Sequence, residues 1–75
     1  MSKRVEIFVR LLDEDVDVWC PVRADHLGGD IYRIIEQKYD RHTEKWQFEP
    51  GDQVVCGFVE SSEGPIFAAV RIDTA

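Results

Sequence analysis

The sequence is poor in the residues that mark specialised classes of protein. It has two cysteines, Cys20 and Cys56, far too few for a disulfide scaffold. Both stand among apolar neighbours, which favours buried, reduced thiols. A Cys20–Cys56 bridge needs close Cα atoms, and spacing alone does not decide that. No apolar run approaches the ~20 residues that cross a bilayer. The start, Met1-Ser2-Lys3-Arg4-Val5-Glu6-Ile7, has no signal-peptide run, so the expectation is a cytoplasmic protein without membrane contact. Basic residues are scarce. Nine Lys and Arg against fifteen Asp and Glu leave a formal net charge of −6. That opposes unaided nucleic-acid binding, which rests on cations displacing phosphate counterions. Repeats, linkers and low-complexity segments are absent too.

What is present is globular. Hydrophobic residues make up 44% and charged residues 32%, enough apolar surface to oppose chain entropy. The expected organisation is a single domain over 1–75. A chain of this length hides only about 60% of its unfolded surface. The core is therefore small, and a deep catalytic cleft has little room.

The hydrophobic period is two. Val5, Ile7, Val9 and Leu11 alternate with Arg4, Glu6, Phe8 and Arg10, which predicts a half-buried strand over about 4–12. The acidic run Asp13-Glu14-Asp15 ends it. Val16, Val18, Cys20, Val22 and Ala24 continue the alternation in a second strand over about 16–26. Pro21 cannot donate to a ladder and marks an edge, a bulge or a bend. A glycine turn leads to a third strand over about 31–36. A Gly28-Gly29-Asp30 loop sets Ala24 opposite Ile34 and Asp25 opposite Arg33, which matches apolar with apolar and acid with base. Gln37 to Lys45 is a polar surface loop with at most a turn of helix. Glu49-Pro50-Gly51-Asp52 has the chemistry of a type II turn. Further strands are expected over about 53–60 and 66–72, with a turn at Ser61–Pro65.

Several strands are apolar on both faces, through Phe8, Trp19, Leu27, Ile31, Ile35 and Val55. Curling the sheet until its ends meet buries one face and removes exposed edges. The expected fold is all-β, a small five-stranded SH3-like barrel. An OB-like barrel is the alternative, but it usually carries a helix where this chain has the loop 37–45.

Two resemblances attach to this layout. Trp19-Cys20-Pro21-Val22-Arg23-Ala24, a glycine turn and Tyr32-Arg33-Ile34 resemble the second and third strands of Tudor and related SH3-like domains. A longer pattern is similar to a group of small bacterial SH3-like barrel proteins. It comprises Trp19-x-Pro21-Val22-x-Ala24, Leu27, Tyr32-Arg33-Ile34, Trp46-x-Phe48-x-Pro50-Gly51-Asp52 and Val55-Cys56. This second resemblance covers most of the chain. It implies a stand-alone bacterial barrel and no particular activity.

Signals for chemistry are weak. Cys20, His26, His42 and Cys56 have ligand chemistry for zinc but not its Cys-x-x-Cys or closely spaced His patterns. The acidic stretch Asp13 to Asp17 lacks the glycine and spaced final glutamate of an EF-hand loop. A nucleophilic cysteine needs an electropositive, partly exposed site, and burial with acidic surroundings works against a thiolate. No Gly-x-Ser-x-Gly or phosphate loop occurs. The expectation is therefore no metal, no cofactor and no catalysis.

The aromatic residues are the most informative. Tyr32, Phe58 and Phe67 read as core. Trp46 and Phe48 have two readings. In one they pack over the barrel mouth against Trp19 and complete a small core. In the other, Trp19, Tyr39, Trp46 and Phe48 anchor an aromatic surface groove, with Asp17 and Glu44 as acidic rim. The second makes the chain a non-catalytic protein-interaction module for a partner with a basic or cationic surface. Resemblance to SH3-like and Tudor-like domains implies an extended segment or a methylated cation as ligand. An alternative is an RNA- or ribosome-associated accessory protein using Arg10, Arg23, Arg33 and Arg71 as a basic stripe. Edge strands pairing between copies leave a dimer open.

Overall fold

The structure is a computed structural model and describes residues 3–14, 16–40 and 42–74. Asp15 of the acidic turn and Met1 and Ser2 of the N-terminal reading lie outside the described residues. Five strands follow in order: β1 (Lys3–Arg10), β2 (Trp19–Gly28), β3 (Ile31–Ile34), β4 (Gln53–Ser61) and β5 (Gly64–Ile72). They close into a barrel in sequence order, all-β and of the SH3-like kind. Successive neighbours are antiparallel. With an odd number of alternating strands the first and last must run the same way. The closing β1–β5 pair is accordingly parallel, at Phe8 and Ala68.

The alternation in the sequence reads out directly as burial. Ile7, Val9, Val22, Ala24, Ile34, Val54 and Cys56 face inward and are buried. Each large aliphatic side chain removed from water contributes about 1.5–3 kcal/mol. Ala24 stands opposite Ile34 and Asp25 opposite Arg33, as the charge and apolar matching requires. The turn itself differs slightly from expectation. Gly28 pairs with Ile31, and the register shifts between His26 and Gly28, so Leu27 is an extra, bulged residue.

Pro21 sits on a real edge. β3 pairs with β2 only from Ala24 onward, so the first half of β2 has no strand on that side. The Gln37 side chain takes the place of one. Its amide accepts from the Arg23 N–H at 3.0 Å and donates to the Arg23 carbonyl at 2.9 Å. Its Nε2 also donates to the Ile35 carbonyl at 2.8 Å. A proline without a donor and a glutamine that occupies its neighbour both blunt this edge.

The long connection from β3 to β4 covers one end of the barrel. Glu49–Asp52 forms the type II turn, with Gly51 at φ 96° and the Asp52 N–H donating to the Glu49 carbonyl at 3.0 Å. Just before it, Trp46 bridges to Leu11. The Leu12 N–H donates to the Lys45 carbonyl at 2.6 Å, and the Gln47 N–H to the Arg10 carbonyl at 2.9 Å. This short pairing extends the sheet beyond the β1–β5 contact and delivers Trp46 and Phe48 to the core.

One core expectation fails. Phe58 lies on the same face of β4 as Val54 and Cys56, yet it is 77% exposed. β3 pairs with β4 only as far as Val55. Beyond that, β4 has β5 as its only strand partner. Alternation fixes the face a residue occupies, but on this two-stranded arm Phe58 meets the edge of Phe67 and otherwise faces solvent.

Candidate binding cleft

The six residues expected to form one groove fall into two separate places. On β2 the inward face carries Cys20, Val22 and Ala24, so Trp19, one residue before Cys20, points outward. Trp46 lies on the inner side with Leu11 and belongs to the core cluster. The two tryptophans are thus on opposite faces of the barrel wall, and a single groove holding both does not form.

The inner group is structural. Trp46 and Phe48 are only 6% and 7% exposed. Tyr39 stacks on Trp46 with ring centroids 3.9 Å apart and planes within 16°. The Tyr39 hydroxyl donates to Glu49 at 3.3 Å. Glu44 does not act as a free rim charge. Its Oε1 accepts from the Trp46 indole Nε1 at 3.1 Å and from the Cys20 thiol at 3.6 Å. Burial first, then the charge and hydrogen bond of Glu44, push the Cys20 thiol up to about 11. Burial, then Asp30, pushes the Cys56 thiol up to about 11 as well. Both cysteines are free thiols, so no bridge forms between them. Neither has the electropositive setting that makes a thiolate.

The outer group makes a cleft. Phe8 of β1, Trp19 of β2 and Ile66 of β5 form its apolar wall, and Val18 adds to it. Asp17, Ser61, Ser62 and Glu63 complete the lining, in an open cleft of about 250 Å³. Phe8 and Ile66 reach it because the β4–β5 arm crosses β1 at the Phe8–Ala68 contact. The arm's tip is held by its own bonds. Ser61 Oγ donates to the Gly64 carbonyl at 2.6 Å and accepts from the Glu63 N–H at 3.2 Å.

The two acids of the cleft differ. Asp17 is held by Arg10 at 2.7 Å. Glu63 has no ion-pair partner among the described residues and is exposed. The Trp19 indole Nε1 is buried and has no acceptor among the described residues. A buried donor left unpaired costs about 1–3 kcal/mol, which is unusual enough to point to something that completes it.

Sequence reasoning placed Trp19 and Asp17 at a binding surface but missed Phe8, Ile66 and Glu63 as their neighbours. The available signal was that Phe8, Trp19 and Ile66 are all large apolar residues on the non-core face of their strands. Of the arginines expected to form a basic stripe, Arg10 is bound to Asp17, Arg23 stands opposite Glu6, Arg33 opposite Asp25 and Arg71 opposite Val55. Among the described residues no three His, Cys, Asp or Glu side chains are grouped as a metal set. No described helix is long and apolar enough to cross a membrane. No family model, curated protein or solved structure matches the chain.

Proposed function

We propose that the protein is a non-catalytic interaction module whose binding surface is the cleft of Phe8, Trp19 and Ile66, with Glu63 at its rim. The observation that carries this reading is the combination of an apolar wall with a carboxylate that has no ion-pair partner, on a chain of net charge −6. The ligand it suits is an extended protein segment that pairs an aliphatic side chain with a neighbouring Arg or Lys. The aliphatic group packs on Trp19 and Phe8, and the cation meets Glu63. A backbone carbonyl of the ligand that reaches the Trp19 donor would complete its hydrogen bonding.

The test uses two capped tetrapeptides, one of alternating leucine and arginine and one of leucine and glutamate. Calorimetric titration should show saturable binding of the first and none of the second. Glu63→Lys should weaken the first about tenfold or more, the loss expected of a charge turned repulsive. Equal binding of both peptides, or no effect of Glu63→Lys, would remove the cleft as the site.

A further inference from the structure

A second surface carries an independent inference. His26, Tyr32, Phe67 and Phe58 form a continuous aromatic row drawn from β2, β3, β5 and β4. His26 stacks on Tyr32 with centroids 4.5 Å apart. The edge contacts Tyr32–Phe67 and Phe67–Phe58 follow at 5.5 Å and 5.2 Å. His26 is fixed at its end of the row by donating from Nε2 to the Gly29 carbonyl at 2.8 Å. The row starts in the core, where Tyr32 is buried, and ends in solvent at Phe58. A phenylalanine exposed to this degree on a regular strand has no role in this chain's own core.

The charges at the two ends of the row are opposite. Lys3 stands opposite His26 in the β1–β2 register and shares a face with Val5 and Ile7. Glu60 follows Phe58 on the same face of β4. Lys3 and Glu60 are exposed, and neither has an ion-pair partner among the described residues. A surface with an aromatic centre, a base at one end and an acid at the other is complementary to itself under a two-fold rotation. Each Phe58 then covers the partner copy's Phe67, and each Glu60 faces the partner copy's Lys3.

We infer that the occupant of this surface is a second copy of the same chain, in an isologous dimer that packs each Phe58 against the partner copy's Phe67. A net charge of −6 on each copy makes unguided self-association unfavourable. A matched Lys3–Glu60 pair on each side of the axis is the feature that offsets this locally. The cleft at Trp19 is outside this surface, so the two proposals stand or fall separately.

The test is sedimentation equilibrium of the full chain at increasing concentration. The expected result is a mass approaching twice 8.7 kDa. Phe58→Glu should raise the dimer dissociation constant about thirtyfold or more, as for an aromatic hot spot. Its circular dichroism should match wild type, because Phe58 packs no core. Lys3→Glu should weaken the dimer about fivefold, and adding Glu60→Lys to it should restore the dimer. A monomer at every concentration would overturn the inference, as would a dimer indifferent to Phe58→Glu. Failure of the charge swap to restore association would overturn the two-fold arrangement.

Discussion

Trp19 and Trp46 have the same side chain and opposite duties, and the difference lies in which face of the wall each occupies. Trp46→Ala removes a buried ring and its bond to Glu44. A loss of about 3–5 kcal/mol is expected for such a site, enough to unfold a chain this small in thermal or urea melts. Trp19→Ala removes a half-buried ring whose N–H is unsatisfied, so it should cost clearly less and leave a cooperative transition. Glu44 explains a second residue-scale effect. Glu44→Gln keeps an acceptor for Trp46 but removes the negative charge beside Cys20. The Cys20 thiol should then titrate below its value of about 11, while burial still holds it above the ordinary 9.0. Thiolate absorbance against pH measures this, and the Cys56 step should stay in place. Both thiols are raised in the fold. Their contribution to stability is therefore complete below about pH 9 and is lost as pH rises through about 11.

At the scale of elements, the strands were legible because the period of two persists through β1, β2 and β4. The β2–β3 register was legible for a stronger reason. One pairing sets Ala24 opposite Ile34 and Asp25 opposite Arg33, and the shifted pairing places an arginine over the core. Two features were not legible. The bridge between Leu11 and Trp46 depends on where a long polar loop returns, and no local pattern records that. Exposure of Phe58 depends on where β3 begins: Ile31 pairs with Val55, three residues before the ring that is left uncovered. The β2 edge gives a direct test. Gln37→Ala removes the amide bonds to the Arg23 backbone and the bond to Ile35. Urea denaturation should show a loss of about 1–2 kcal/mol, and the opened edge should make the variant more prone to aggregate on heating. Gln37→Glu keeps only an acceptor and should recover little of the loss.

At the scale of the whole molecule, the expected groove failed because one thin wall separates its members. A barrel of five strands has no interior for a ligand, so aromatic rings either fill the core or stand outside it. Trp46, Tyr39 and Phe48 took the first course and Trp19 and Phe8 the second. Net charge was legible as a statement about partners, but not where the unpaired acids would lie. Asp17 and Glu44 are both engaged, by Arg10 and by Trp46 with Cys20, while Glu63 is not. The molecule therefore has two separate exposed aromatic regions. One is the acid-rimmed cleft at Trp19. The other is the end of the aromatic row at Phe58 on the β4–β5 arm.

In the proposed function the outer tryptophan binds and the inner one supports the fold. The chain has two tryptophans and hence two indole N–H signals, each serving as the other's control. The decisive measurement is a nuclear magnetic resonance titration with the leucine–arginine tetrapeptide, following both signals. The Trp19 indole signal should move to saturation, as its unpaired N–H gains an acceptor, while the Trp46 signal stays fixed on Glu44. Movement of the Trp46 signal with Trp19 unchanged, or no movement of either at millimolar peptide, would contradict it.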